Sequence, residues 1–383
     1  MSRPSSLSPV LLLSSLSLLS AFLLFQVQPV ISKFILPWFG GSPGVWTTCM
    51  LFFQVVLFGG YAYAHLLTRL RPRYQGIIHA LLVLAALFFL PIAPGDSWKP
   101  TGTEDPSFRI LFLLLGTVGL PYFVLSSTSP LTQVWFTRAV PGGRPWRLYA
   151  LSNLGSLVAL LSYPFFFEVR WDVTQQTWIW SAAFVAFALL SISVALKDRQ
   201  KAGFKPMDET QDFVVEIIEK PQWWRRLLWV LLPASASAML LATTNHVCQD
   251  VAVIPFMWVV PLSLYLLTFI ICFEHERWYV PAGWTLAAMT VLFTTGAGFD
   301  RSQGFLKKLK LETVEWHPQL ETWIAYWQGF DFDRNFTAEL VLCFTAMFLA
   351  CMVCHGELAR LKPHTSRLTE FYLLMSAGGA LGG

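Results

Sequence analysis

The chain has 383 residues, of which 55% are apolar and 13% charged. An ordinary globular domain carries ~25% charge, so a soluble protein of this composition would lack polar surface to show water. Disorder, a disulfide-stapled secreted domain and a soluble nucleic-acid binder are excluded. The net charge of +4 says little about partners, because the basic residues are sorted by loop.

Eleven charge-poor segments have the length that crosses a hydrocarbon core of ~30 Å. They lie near 10–31, 43–67, 74–93, 108–134, 148–167, 176–197, 225–246, 250–273, 279–298, 336–358 and 368–383. The first resembles a signal peptide but is too long for its apolar region and is followed by no A-x-A site, so it reads as an uncleaved helix. The last stops at Gly383 while still apolar. A helix ending there would leave carbonyls unsatisfied in lipid, so the natural protein is expected to continue and the last helices to be cut short.

Threading these spans places 18 of the 27 basic residues on the side of the N-terminus. Arg69, Arg71 and Arg73, and Arg138, Arg144 and Arg147, weigh most because they sit in short loops. The positive-inside rule makes that side the cytoplasm, and the expected location is a bacterial inner membrane with a cytoplasmic N-terminus. Residues 198–223 are polar and read as a cytoplasmic linker with a short surface helix at 213–218. The expected organisation is a six-helix bundle over 1–197, the linker, and a second, incomplete bundle over 224–383. The second bundle carries an outer loop, 299–335, whose Trp316, Trp323, Tyr326 and Trp327 lie near Lys307–Lys310 and suit an outer cap or surface helix.

The halves echo each other. Tyr149, Leu151 and Gly155 open the fifth span, and Tyr372, Leu374 and Gly378 open the eleventh at a constant offset of 223. Six spans separate the copies, so both face the same way, as in a parallel repeat of the major-facilitator type. The fold class is therefore an all-α polytopic bundle of about eleven spans on a 6+6 plan. Gly378/Gly382 and Gly379/Gly383 form G-x-x-x-G pairs suited to close helix packing.

The Gln28–Met50 stretch QPVISKFILPWFGGSPGVWTTCM resembles the bacterial fused major-facilitator/spermidine synthases. So do GYAYAH at 60–65, LATTNH at 241–246, QDVAVIP at 249–255, CHGELAR at 354–360 and the terminal GGALGG. The resemblance covers nearly the whole chain and is weakest at 198–223 and 299–335. It implies a membrane domain, an attached or separate spermidine-synthase-like domain, and aminopropyltransferase activity in the whole protein. An aminopropyltransferase needs a nucleotide-binding sheet, a glycine-rich turn and acidic residues. None of these is legible in the 383 residues, so no catalytic residue carries over.

The candidate substrate or ion pathway is a polar cluster at the outer ends of the first and seventh spans: Gln26, Gln28, Lys33, Asn245, His246, Gln249 and Asp250, with Trp46 nearby. Polar groups in a membrane segment are functional suspects; ordinary helix capping is the competing reading. Gln54 is mid-span, and Asn153 sits with Ser152 and Ser156 in the cytoplasmic half of the fifth helix, where a packing hydrogen bond competes with substrate contact. His355, Glu357 and Arg360 are candidates for a cytoplasmic gate through a state-dependent salt bridge between helices, against solvated loop charges. Cys351-Met-Val-Cys354-His355 matches a haem-attachment spelling, but the charge count puts it on the cytoplasmic side, and helix packing is the favoured reading. No cofactor and no metal are expected. The six cysteines are scattered and make no disulfide framework. No carboxylate falls at the centre of a span, which weighs against a pore that binds a polyamine strongly. The small-molecule substrate, and whether the membrane part transports or only anchors, stay open.

Overall fold

A computed structural model describes residues 9–40, 43–100, 106–202, 221–250, 256–299 and 336–383. The expected surface helix at 213–218 and the outer loop over 300–335 lie outside these residues. Eleven helices occupy the described residues: α1 Pro9–Phe39, α2 Pro43–Thr68, α3 Pro72–Ala86, α4 Pro106–Ala139, α5 Trp146–Arg170, α6 Val173–Ala202, α7 Trp223–Asp250, α8 Phe256–Glu274, α9 Pro281–Phe299, α10 Phe336–Arg360 and α11 Leu368–Gly382. Eight contain a stretch long and apolar enough to cross a membrane. This is an integral, multi-pass, lipid-embedded protein.

Local chemistry sets the boundaries. Proline opens α2, α3, α4 and α9, where its fixed φ suits a helix and its missing N–H costs nothing. α1 runs past the expected end near residue 31, through Pro29 and Pro37. Membrane helices tolerate such prolines because neighbours take up the freed backbone groups. It stops at Gly40, whose φ of 84° lies in the left-handed region, and the Gly40 N–H donates to the Leu36 carbonyl as a helix C-cap. α4 and α5 each contain a π-helical turn, Leu115–Gly119 and Tyr163–Phe167.

The helix pairing repeats with a period of six. α1 packs on α4 and α5, and α7 packs on α10 and α11; α2 packs on α4, and α8 on α10. Glycines explain the closest approaches. A Cβ at Gly155 would strike the Leu18 carbonyl of α1, and one at Gly378 would strike the Val230 carbonyl of α7. These two glycines are the repeat partners seen in the sequence, and each lets the fifth helix of its half touch the first. Association in lipid depends on such van der Waals contact. Gly382 likewise meets Ala234, whereas a Cβ at Gly379 would find nothing within 4 Å.

The halves meet chiefly through α2 with α11 and α5 with α8, with a smaller contact between α4 and α11. At the arginine-rich end, a buried cluster joins Tyr149 and Ala150 of the first half to Trp229, Phe269, Phe273, Phe371 and Tyr372 of the second.

Candidate functional site

Tyr149 and Tyr372 lie in the first turns of α5 and α11, and their rings meet with centroids 5.1 Å apart. Both are buried. The Tyr372 hydroxyl donates to Gln133 Oε1 of α4 at 2.6 Å. Tyr149 packs edge-on against Phe269, against Phe273 at 4.8 Å, and its hydroxyl lies 3.8 Å from Met375 Sδ. Trp146 stacks edge-on with Phe371, and the Lys362 ammonium sits 5.6 Å from the Trp146 ring and 5.0 Å from the Phe273 ring. Outside this aromatic layer, His65 Nδ1 lies 2.9 Å from Thr369 Oγ1, and Arg147 faces Glu274 at 3.7 Å. Glu370 is held by Arg226 at 2.7 Å and Arg367 at 2.9 Å. The arginine-rich end is thus sealed by side chains from both halves.

Above the seal, α11 turns Ser376, Gly379 and Gly383 along the face that carries Tyr372, since residues seven apart nearly eclipse. Space opens at Gly379, and Gly383 abuts Gln54 of α2. Tyr61, two turns from Gln54 on the same face of α2, lies 6.5 Å from the Tyr372 ring. Tyr265 of α8 packs edge-on against Phe269, whose ring also meets Tyr149. Among the described residues the Tyr61 and Tyr265 hydroxyls form no hydrogen bond, and both side chains are part-exposed. The region is polar, aromatic and uncharged.

Of the residues expected at an outer mouth, those whose side chains are described do not gather at one place. Gln26 is 3% exposed with neither amide atom hydrogen-bonded among the described residues. It shares the α1 face of Phe22, Pro29 and Lys33, whose partners Phe167, Tyr163 and Glu168 all belong to α5. Lys33 pairs with Glu168 at 2.9 Å and lies over the Tyr163 ring. Gln28 donates to the Tyr122 hydroxyl of α4 at 3.2 Å, a bond within the first half. Asn153 bonds the Tyr149 carbonyl of its own helix at 2.9 Å, one turn above the seal. Asn245 and His246 are exposed on α7. The side chains of Trp46, Gln249 and Asp250 lie outside the described ones.

His355 is fully buried between α8 and α10. Its ring stacks on Phe269 at 3.6 Å, and its Nδ1 lies 2.7 Å from Thr268 Oγ1. Glu357 bonds Arg360 at 2.9 Å within α10 and accepts from the Tyr279 hydroxyl at 3.0 Å. That ion pair therefore lies within one helix, and the contact between elements comes from Tyr279. Among the described residues no three His, Cys, Asp or Glu side chains are placed to hold a metal.

Sequence reasoning paired Tyr149 with Tyr372 as repeat markers and gave them no role. Tyr61, Gln133 and Thr369 drew no notice, although α2 carries Gln54, Tyr61, His65 and Thr68 at helical spacing, a signal within reach.

The sequence matches no protein-family model and no curated protein. Among solved structures the chain is similar to the proton:xylose symporter XylE of the major facilitator superfamily, bound to 6-bromo-6-deoxy-D-glucose. That likeness has 11% identity and a TM-score of 0.52, over 97% of this chain and 86% of that one. A double-tryptophan mutant of XylE is similar at 11% identity and TM-score 0.47, over 96% and 85%. Identity this low speaks to the fold alone, and nothing in these comparisons bears on a spermidine-synthase domain. The recurring helix pairs and this likeness together make the chain a multi-pass membrane protein with a major-facilitator-like fold.

Proposed function

We propose that the protein moves a small solute across a cytoplasmic membrane by alternating access. The observation that carries this reading is the aromatic seal at Tyr149 and Tyr372 with open space above it at Gly379. A space closed at one end, between two halves whose main contacts are α2 with α11 and α5 with α8, suits rocking of one half on the other. The arginine-rich end is read as cytoplasmic from the basic loops, with residues 1–197 and 224–383 as the two moving bodies. Gln28 and Asn153 border the solute path, whereas Gln26, Lys33, His355, Glu357 and Arg360 support the halves from within.

A finer reading comes from the sequence motifs shared with fused spermidine synthases. The solute would then be connected with polyamine chemistry, and a synthase domain would be attached or separate. Its support is the sequence resemblance. A non-transporting anchor for such a domain is the competing outcome.

Reconstitution decides between these. Liposomes holding the purified protein are expected to take up some member of a panel of labelled polyamines and neutral polyols faster than empty vesicles. Gly379→Trp, which fills the space without touching α7, is expected to abolish that uptake. Uptake equal to that of empty vesicles across the panel would leave the anchor. Reporter fusions at Arg71 are expected to report a cytoplasmic loop.

A further inference from the structure

We infer that the space above the tyrosine seal selects uncharged solutes rich in hydrogen-bonding groups and turns away polycations, polyamines included. This rests on the transport reading. The uncharged polar groups we assign to this space are phenols, amides and a hydroxyl: Tyr61, Tyr265, Gln54 and Ser376, with Gln28 and Asn153 bonded to the Tyr122 hydroxyl and the Tyr149 carbonyl. A phenol both donates and accepts a hydrogen bond, as an uncharged hydroxylated solute does. The Tyr61 and Tyr265 hydroxyls form no hydrogen bond among the described residues, so a solute would meet unspent donors and acceptors.

Polycations need counter-charge in a low-dielectric space. Every carboxylate whose side chain is described is engaged away from it. Glu168 holds Lys33, and Asp96 holds Lys99. Asp172 accepts from the Gln175 N–H. Glu274 faces Arg147, Glu357 holds Arg360, and Glu370 lies between two arginines. Asp250 is thirteen residues along α7 from Ser237, which borders Gly383; at 1.5 Å per residue that is about 20 Å. The floor adds repulsion. Lys362 lies just beyond the aromatic layer, 5.6 Å from the Trp146 ring and 5.0 Å from the Phe273 ring, whereas the charge of Arg147 is offset by Glu274.

The test reads charge preference without a known solute. Gly379→Cys in the full chain, in lipid nanodiscs, is treated with three methanethiosulfonates of similar size: hydroxyethyl, trimethylammonium-ethyl and sulfonatoethyl. Rates in excess of the unsubstituted protein are divided by the rates with free cysteine. The neutral reagent is expected to be favoured over the cationic one by roughly tenfold or more. A cationic rate equal to or above the neutral rate would overturn the inference. Should Gly379→Cys fail to fold, Ser376→Cys on the same face serves. In the vesicle assay, spermidine entry that Gly379→Trp blocks would overturn the inference while leaving transport standing. Vesicles closed to the whole panel would remove transport, and the labelling order would still be decided separately.

Discussion

Tyr149 and Tyr372 occupy equivalent positions in the two sequence repeats, and their rings touch, with centroids 5.1 Å apart. Residues related by a two-fold axis meet only when both lie close to it. The contact therefore marks the axis between the halves, and it places the seal where rocking motion must open or close it.

The two hydroxyls are used differently, which makes a sharp test. Tyr372→Phe keeps the stacking and removes the 2.6 Å bond to Gln133. Gln133 Oε1 is left without that donor, at a cost of about 1–3 kcal/mol. Thermal unfolding in detergent should fall by several degrees. Tyr149→Phe, which loses only a weak contact to sulfur, should shift it much less.

The packing glycines predict a contrast within one helix. Gly378→Leu forces a side chain into the Val230 backbone and should cost about 1–3 kcal/mol. Gly379→Leu, facing open space, should leave stability near that of the parent protein. Size-exclusion profiles after a heating series would rank the two, and equal damage would contradict the described geometry.

Thr268→Val tests the buried histidine. The substitution keeps shape but removes the hydroxyl 2.7 Å from His355 Nδ1, and His355 Nε2 has no other partner among the described residues. An unsatisfied ring atom at full burial costs about 1–3 kcal/mol. The double change Thr268→Val with His355→Phe should recover part of the loss, measured by the same melting series.

The Lys33–Glu168 pair, 29% and 42% exposed, should contribute little. Pairs this accessible give about 0.2–1 kcal/mol. Glu168→Gln should barely change the melting temperature, and reversing both charges should restore any loss that reversing one produces.

The fold was legible because lipid imposes a coarse rule. A run of about twenty apolar residues must be a helix that spans, and all eleven expected spans have a helical counterpart. Their ends were less legible. α1 continues eight residues past the expected limit near 31, because an internal proline does not stop a membrane helix. The π turns at Leu115–Gly119 and Tyr163–Phe167 leave no compositional trace.

The site was harder to read. Gln26 and Lys33, seven residues apart, share the α1 face toward α5, whereas Gln28 lies on another face and reaches Tyr122 of α4. A helix that is apolar all round gives no periodicity from which to assign a face. The repeat was the better guide. Tyr149/Tyr372 and Gly155/Gly378 each hold one structural duty in both halves, and only equivalent surroundings would keep such pairs in register.

The tyrosine contact also bears on how such a chain could arise. If a six-helix ancestor once associated with its own copy, a single codon would have supplied both rings of the closure. Joining the two copies into one gene would free each ring to acquire a private partner. Gln133 on one side and Met375 on the other are what such divergence leaves behind.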